Sequence, residues 1–365
     1  MKQRSLLSLS LILICLRLPF SSPADLPGLR YEYRKTAGPE SIHILEVDPR
    51  LLRIEAARAL DDGVGRETVQ SIAQRKAAIA AVNAGFFRIG GRYDGEPEGI
   101  LKIKENWFSD PGEARGAIGW TRGGEIARIG RLTMKWVLES RGTRYPIDGI
   151  NRPRGQAEAI LYDWAFHRST LTDPDGIEFL IARNKIIGLS HNGNAAIPPD
   201  GFVYSLGPKS PVPKADLKIK APVKISYAVS DASAPAPRSK PDWQEMEYIV
   251  GGMPALFLKQ RDLLQHNEEK MRAGFDTERH PRTAVGLRAD GTWVFVVIDG
   301  RQPDLSIGMN LKDLSELLLS LGCMDALNLD GGGSSTLYYQ GKVVNSPSDA
   351  TKDRPVSDAF VILRK

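Results

Sequence analysis

The chain has few of the residues that build the commonest catalytic and cofactor sites. Its 365 residues include two cysteines and five histidines. The zinc-binding pattern H-E-x-x-H is absent, and so is the phosphate-loop pattern G-x-x-x-x-G-K-[ST]. These absences argue against a zinc hydrolase of that type and against a P-loop nucleotide hydrolase. No other ligand spacing is seen among the histidines, which are His43, His167, His191, His266 and His280.

A serine hydrolase also fits the sequence poorly. The segment Gly332-Gly333-Ser334-Ser335-Thr336 lacks the second glycine of a nucleophile elbow. The residues after it predict a strand, whereas the elbow leads into a helix.

Residues 1–24 resemble a secretory signal. Lys2 and Arg4 form a basic start, the run Leu6–Leu16 is apolar, and Ser22–Ala24 offers small residues at a cleavage site. The apolar run is too short for a membrane span, which needs about 20 residues. We expect export to the periplasm or the extracellular space, with no stable membrane span after signal cleavage.

Removal of the signal changes both the cysteine count and the charge. Only Cys323 remains, so no internal disulfide is possible, and its apolar surroundings predict a buried thiol. The formal net charge falls from +5 to +2 because the segment holds Lys2, Arg4 and Arg17. The remaining basic residues are scattered, which is unlike a nucleic-acid-binding surface. We expect no nucleic-acid partner.

The rest of the chain predicts an α+β fold, a strand-rich mixed sheet flanked by a few helices, with the site at strand ends. We treat residues 25–365 as a single domain. Thr283–Leu287 and Thr292–Ile298 predict a hairpin that turns at Asp290-Gly291. Asn310 predicts the cap of a helix with a leucine stripe, which Gly322 ends.

The stretch Ala326–Tyr338, A-L-N-L-D-G-G-G-S-S-T-L-Y, carries the strongest signal for a site. Successive glycine N–H groups can form an anion-binding nest, and the following hydroxyl groups are further donors. Asp330 stands at its edge. The alternative is a glycine-rich turn without a ligand.

A second focus is Asn83, which ends a predicted buried strand before Gly85. Its amide can face a ligand, or it can bond the following turn; the sequence leaves both open.

Asp299 and Asp330 each end a predicted strand and precede a glycine. If the helix after Asn310 connects neighbouring strands, the two acids can share one site, which suits glycoside hydrolysis or metal binding. Otherwise they belong to two unrelated turns. Arg282 and Arg301 lie beside the same strand ends and could clamp a phosphate.

Five segments together resemble the phosphodiester glycosidase family, and the similarity extends from about Ser41 to Leu363. The block L-D-G-G-G-S-S with R-T-A-V-G upstream is its most specific part, and the chain resembles the compact bacterial-type members. The segments are Val82–Phe87, Tyr248–Pro254, Pro281–Gly286, Asp299–Arg301 and Asn328–Thr336.

This resemblance implies a secreted hydrolase that cleaves the glycosidic bond of a sugar-1-phosphodiester, such as an N-acetylglucosamine-1-phosphodiester. The substrate would be such a diester or a glycopolymer. We expect Asp330 and Asp299 to be catalytic. The residues expected to bind substrate are Asn83, Arg282, Thr283, Arg301, Asn328, Gly331, Gly332, Gly333, Ser334 and Ser335.

Two alternatives remain open at this point. One is a non-catalytic exopolysaccharide-binding or biosynthesis accessory protein that uses the same groove. The other is a metal-dependent phosphodiesterase with Asp299 and Asp330 as ligands of a divalent cation such as calcium. No cofactor is assigned from the sequence.

Overall fold

The structure is a computed structural model that describes residues 26–215, 217–233, 241–264 and 268–365. The predicted signal, residues 1–24, lies outside these ranges, and export stays a prediction. Within these ranges no helix is both long and apolar enough to cross a membrane.

Strands make up most of the regular structure, and two α-helices accompany them. The first elements are β1 (Leu29–Lys35), β2 (Ser41–Val47), β3 (Leu52–Arg58), α1 (Val69–Arg75), β4 (Ala80–Asn83), β5 (Phe86–Phe87), β6 (Pro97–Glu98), β7 (Leu101–Ile103) and β8 (Asn106–Ser109). There follow β9 (Arg115–Thr121), β10 (Ile126–Ser140), β11 (Thr143–Ile147), β12 (Gly149–Ile150), β13 (Ala159–Asp163), β14 (Ile177–Ala182), β15 (Lys185–Ser190), β16 (Gly201–Leu206) and β17 (Lys224–Asp231). The last are β18 (Tyr248–Gly251), β19 (Ala255–Leu258), β20 (Arg261–Asp262), β21 (Arg282–Arg288), β22 (Trp293–Ile298), α2 (Leu311–Ser320), β23 (Cys323–Asn328), β24 (Leu337–Tyr339), β25 (Lys342–Val343) and β26 (Asp358–Arg364).

The strands form several sheets, where the sequence predicted a single one. The first sheet has the order β1-β2-β22-β21-β23-β19-β20, and the second has β11-β10-β9-β18-β7-β8 with β17 on β10. Two five-stranded sheets have the orders β12-β13-β16-β14-β15 and β25-β24-β4-β26-β3. Only β12 and β13 pair in parallel among these strands. The prediction that strands dominate is confirmed, and α+β describes this mostly-β architecture only coarsely.

Three of these sheets meet in one aromatic cluster. Trp120 on β9 packs edge to face against Trp293 on β22, with 5.3 Å between ring centroids. It also stacks on Phe360 of β26, with 5.5 Å between centroids. Phe295 lies 5.2 Å from Phe360. Such ring pairs stabilise a core beyond the area they bury. The cluster joins the first, second and fourth sheets, and so fixes the strand ends that carry the site.

The predicted hairpin is confirmed, and it determines where the site lies. β21 pairs antiparallel with β22, with Arg282 opposite Ile298. On its other side β21 pairs antiparallel with β23, with Ala284 opposite Asn328. β22 and β23 therefore run in the same direction with β21 between them. The C-terminal ends of both strands lie at the edge where β21 begins.

α2 makes the connection from β22 to β23, as predicted. The Asn310 side chain accepts a hydrogen bond from the Asp313 N–H at 2.8 Å, which caps the helix. Leu311, Leu314 and Leu318 are buried on its inner face. Gly322 takes a φ of 82° just after the helix, the left-handed conformation that glycine adopts at low cost.

Candidate active site

A polar pocket of ≈ 310 Å³ lies at this edge of the first sheet. Among the described residues that line it, Asp330 carries the only carboxyl group, and four arginines surround it. We call it the arginine pocket. Its lining consists of Phe86, Arg272, Phe275, His280, Pro281, Arg282, Arg301, Asn328, Leu329, Asp330, Gly331, Gly332, Gly333 and Arg354.

The backbone of Asp330 is held on both sides. Its N–H donates to the Ala84 carbonyl at 3.0 Å, and its carbonyl accepts from Asn83 Nδ2 at 2.7 Å. Burial raises the pKa of the Asp330 carboxyl to about 7, and the nearby carboxyl of Asp358 adds to the rise. Hydrogen bonds from Ser334 and from the Gly331 N–H, with the charge of Arg354, act in the opposite direction.

Asn83 and Thr283 do not line the pocket. Asn83 is 1% exposed, and its Oδ1 accepts from Thr283 Oγ1 at 2.8 Å and from the Thr336 N–H at 3.0 Å. Thr283 Oγ1 also lies 3.2 Å from Ser335 Oγ, within hydrogen-bonding distance of that hydroxyl. Of the two possibilities open for Asn83, the structure shows the hydrogen bond to the turn. These side chains position the Asp330 turn from beneath, where we had expected them to contact substrate.

The predicted nest differs from the observed turn. The Gly332 N–H donates to the Pro281 carbonyl at 2.9 Å, the Ser334 N–H to the Gly331 carbonyl at 3.1 Å, and the Ser335 N–H to the Gly332 carbonyl at 3.3 Å. These three donors are used within the fold and are not available to a ligand.

The glycines have a steric role at this site. Gly332 has a φ of 59°, and a Cβ there would lie 3.1 Å from a guanidinium nitrogen of Arg301. A Cβ at Gly333 would collide with the Arg354 guanidinium. The triple glycine thus lets two cationic side chains lie directly on the backbone of the turn.

Arg282 is buried at the start of β21, with 2% of its surface exposed. Its Nε donates to the Met309 carbonyl, and its Nη2 donates to the Phe275 and Glu278 carbonyls, each at 2.9 Å. Burial lowers the pKa of Arg282 to about 10, so the group stays charged at neutral pH. Its Nη1 has no protein partner among the described residues and is the atom left for a ligand.

The other arginines reach the pocket from different segments. Arg301 is exposed and follows β22 closely. Arg354 donates from Nε to Asp349 Oδ2 at 2.6 Å, and its Nη1 lies 3.5 Å from Ser334 Oγ. The residue-by-residue expectations missed Arg354 and Arg272. Arg354-Pro355 was visible as part of the family resemblance, but nothing local indicated where its side chain would lie.

The polar segment 268–280 covers one side of the pocket through Arg272, Phe275 and His280. It is anchored at its start, because the buried Glu269 carboxylate accepts from the Gly116 N–H at 2.8 Å and from the Ala255 N–H at 2.9 Å. The segment therefore forms a wall fixed to β9 and β19.

Asn328 lines the pocket and is nearly fully buried. Its Nδ2 donates to the Met253 carbonyl at 2.7 Å, which fixes the orientation of the amide. Its Oδ1 is buried and has no partner within the described chain. Ser334 and Ser335 are likewise buried in the floor of the turn, and only Ser334 contacts the Asp330 carboxyl group.

Asp299 lies outside the pocket, contrary to the expectation of a shared pair of acids. It is 1% exposed, and its Oδ2 accepts from Ser41 Oγ at 2.8 Å and lies 3.1 Å from His43 Nε2. Its Oδ1 accepts from Asn345 Nδ2 at 3.0 Å and from the Ser346 N–H at 2.8 Å. Both carboxylate oxygens of Asp299 therefore accept hydrogen bonds from protein donors.

The same geometry bears on the proposed cation site. β21 lies between the strands that end near Asp299 and Asp330, and both carboxylate oxygens of Asp299 accept hydrogen bonds from protein donors. Across the described ranges, no group of three His, Cys, Asp or Glu side chains is arranged to hold a metal ion. The donor set does not fit a cation shared by these two acids.

Comparison with known proteins shows the family of the chain. The family model described as phosphodiester glycosidase matches residues 179–363, just over half of the chain. The SPbeta prophage protein YomE of Bacillus subtilis is 45% identical over 84 residues, 23% of this chain and 13% of YomE. The N-acetylglucosamine-1-phosphodiester alpha-N-acetylglucosaminidase of Bos taurus is 40% identical over 72 residues, 20% of this chain and 13% of that enzyme.

Two crystal structures show a similar fold. A hypothetical protein from Synechocystis has a TM-score of 0.79 and 22% identity, over 92% of this chain and 62% of its own. A candidate exported protein from Burkholderia pseudomallei has a TM-score of 0.76 and 25% identity, over 90% of this chain and 75% of its own. The chain spans only 13% of the length of YomE and of the bovine enzyme. With the family match over half of its length, the chain belongs to the phosphodiester glycosidase family.

Proposed function

We propose that the protein is an exported hydrolase that cleaves the glycosidic bond of a sugar-1-phosphodiester. One observation carries this proposal: a single carboxyl group whose pKa is raised to about 7 faces a pocket lined by four arginines. The predicted signal segment and the similarity to a candidate exported protein support export.

The single carboxyl group among the described lining residues fits the phosphate leaving group of a sugar-1-phosphodiester. Most glycosidases use two carboxyl groups, one of which protonates the oxygen of the leaving group. When the glycosidic bond of a sugar-1-phosphodiester breaks, the departing group is a phosphate monoester, which leaves as a stable anion and does not need that proton. A pocket with one carboxyl group and several guanidinium groups therefore suits a glycosyl phosphodiester better than an ordinary glycoside.

The arginines would hold the phosphate and stabilise the charge that develops on it as the bond breaks. Arg282 offers Nη1 from a fixed position at the start of β21, since its other nitrogens bond backbone carbonyls. Arg301 and Arg354 lie against the glycine turn, one on each of two adjacent glycines. Guanidinium groups in such an arrangement can bind phosphate oxygens in pairs.

Asp330 would act at the anomeric carbon as the base that takes a proton from water. A base works best when its pKa is near the pH of the reaction. Burial raises the pKa of the Asp330 carboxyl to about 7, close to neutral pH. The Ser334 hydroxyl and the Gly331 N–H orient the carboxylate. The backbone bonds to Ala84 and Asn83 keep it at the end of β23.

The proposal is tested with the methyl phosphodiester of N-acetylglucosamine 1-phosphate as substrate. We expect Asp330→Asn to lower kcat by roughly 10² to 10⁴-fold, the range for loss of a general base. Asp325→Asn is the matched control, because Asp325 is a half-buried acid with a raised pKa on β23, the strand that leads to Asp330, and it lies outside the pocket. Saturable binding of the diester without turnover by the wild type would instead indicate a glycan-binding protein.

A further inference from the structure

A separate cavity of ≈ 290 Å³, which we call the aromatic cleft, lies between the second and third sheets. Trp107 of β8, Trp136 of β10 and Tyr227 of β17 form one side of it. The turn between β14 and β15 and the start of β16 form the other side. The cleft shares no lining residue with the arginine pocket. Its volume is near the lower end for small-molecule sites, which begins at about 300 Å³.

The three rings of the cleft pack against one another. Trp136 lies opposite Tyr227 in the antiparallel pairing of β10 and β17, and their ring centroids are 4.7 Å apart. Trp107 packs edge to face against both, with its centroid 5.4 Å from that of Tyr227 and 6.3 Å from that of Trp136. Such pairs stabilise their own arrangement beyond the area they bury. The cleft therefore has a preformed apolar wall.

One indole of this wall has an unused hydrogen-bond donor. Trp136 is 8% exposed, and its Nε1 is buried without a hydrogen-bond partner within the described chain. Buried indole N–H groups usually have an acceptor, because leaving the donor unpaired costs free energy. The wall thus contains a donor that the described part of the protein does not satisfy.

Polar side chains surround the mouth of the cleft. Glu105 and Asn106 line it from the β7–β8 turn, and Asn184 and Asp200 line it from the opposite side; all four are exposed. Carboxylates accept hydrogen bonds, and amides both donate and accept them. A sugar matches this combination, because the C–H groups on the face of its ring are apolar and the hydroxyl groups at its edge are polar.

The charges of the cleft disfavour an anion. Its lining holds three acids, Glu105, Asp163 and Asp200, and one base, Arg183. The arginine pocket has the opposite balance, with one acid and four arginines among its described lining residues. A phosphate group would be repelled in the cleft, whereas the hydroxyl groups of an uncharged sugar can donate to its carboxylates.

We propose that the aromatic cleft binds an uncharged sugar unit of a glycan, at a site separate from the arginine pocket. The apolar face of the sugar would lie on Tyr227 and Phe202, which are half-buried and line the cleft, with its hydroxyl groups at Glu105 and Asp200. This inference goes beyond the proposed function and does not depend on which bond is cleaved. Failure to hydrolyse a sugar phosphodiester would overturn the proposed function and leave this site standing.

The test is calorimetric titration of the whole protein with three uncharged tetrasaccharides, made of N-acetylglucosamine, of glucose and of mannose. None of them carries a phosphate. We expect at least one to bind with a Kd below about 1 mM. Absence of binding by all three would overturn the proposal.

Variants of the cleft locate the bound sugar. Tyr227→Ala removes a ring of the wall and should weaken binding by about tenfold or more. Its control is Tyr33→Ala, at an exposed tyrosine that lines neither space. If Tyr227→Ala does not fold, Glu105→Ala removes an exposed acceptor and should also weaken binding by about tenfold. Glu139→Ala is its control, at an exposed acid of β10 outside both spaces. Binding as tight as in the wild type in the folded cleft variants would overturn the proposal.

A nuclear magnetic resonance titration reports on the cleft directly. The indole N–H signal of Trp136, assigned by its loss in Trp136→Phe, should shift as the bound tetrasaccharide is added to the wild type. A Trp136 signal that stays unchanged at saturation would place the sugar elsewhere and contradict the proposal.

Discussion

Asp330 and Arg354 are connected through one hydroxyl group. Ser334 bonds the Asp330 carboxyl group, and Arg354 Nη1 lies 3.5 Å from Ser334 Oγ. The guanidinium charge opposes the rise in the Asp330 pKa that burial causes. The base and one phosphate-binding cation are therefore coupled, although 24 positions separate them in the chain.

The first prediction concerns the pH dependence of the reaction. A base must be ionised to act, so kcat/KM should rise with pH through an apparent pKa near 7, the value to which burial raises Asp330. Arg354→Gln removes a charge that lowers this pKa and should move the rise to higher pH. Arg288 pairs with Glu46 away from the pocket, so Arg288→Gln should leave the pH at which kcat/KM rises unchanged. A profile that falls through pH 7 would contradict a basic role.

The second prediction concerns stability. Burial raises the pKa of Asp330 from 3.8 to about 7, so the folded state binds more protons than the unfolded state between these values. The free energy of unfolding should therefore fall as the pH rises from about 4 to 7, by at most about 4 kcal/mol. Asp330→Asn should stabilise the protein at pH 8 and change its stability much less at pH 4.

Denaturant titrations of the wild type and Asp330→Asn at the two pH values measure this difference. The measurement at pH 4 serves as the internal control, because there Asp330 is protonated in the folded state and close to half protonated in the unfolded state, so the two states differ little in bound protons. A variant less stable than the wild type at pH 8 would show that the ionised carboxylate stabilises the fold.

The third prediction separates two arginines of the same pocket. Arg282→Ala leaves three backbone carbonyls without their donor, those of Phe275, Glu278 and Met309, and should cost roughly 3 kcal/mol of stability. Amide exchange in the segment 268–280 should accelerate. Arg301→Ala, at an exposed side chain, should lower kcat/KM and leave the unfolding midpoint nearly unchanged. Equal losses of stability in both variants would contradict this division.

The sequence predicted the elements that local signals determine. The hairpin at Asp290-Gly291 and the helix capped by Asn310 were correct, because a turn sequence, a cap and a leucine stripe each act over a few residues. Asp330 at a strand end, with arginines nearby, was also visible in the sequence.

The parts that were wrong depend on contacts between distant segments. Asp299 and Asp330 each end a strand as predicted, but β21 lies between those strands, and Asp299 bonds Ser41 and Asn345 instead of facing the pocket. No local pattern indicates which partners a buried carboxylate will find. Arg272 and Arg354 were missed as pocket residues for the same reason.

The fourth prediction tests the positioning role of Asp299. Asp299→Ala leaves buried donors of Ser41, Asn345 and Ser346 without an acceptor, so the unfolding midpoint should fall. For the methyl diester we expect kcat to stay within roughly tenfold of the wild type, below the loss expected for a general base. A loss in kcat as large as that of Asp330→Asn would make Asp299 catalytic.

The central claim is that water attacks carbon rather than phosphorus. It is tested by hydrolysing the methyl phosphodiester of N-acetylglucosamine 1-phosphate in water enriched in oxygen-18, with and without chelator, and weighing the products by mass spectrometry. Cleavage of the glycosidic bond with Asp330 as base predicts the label in the released sugar and none in methyl phosphate. Label in the phosphate product would contradict the account and identify a phosphodiesterase.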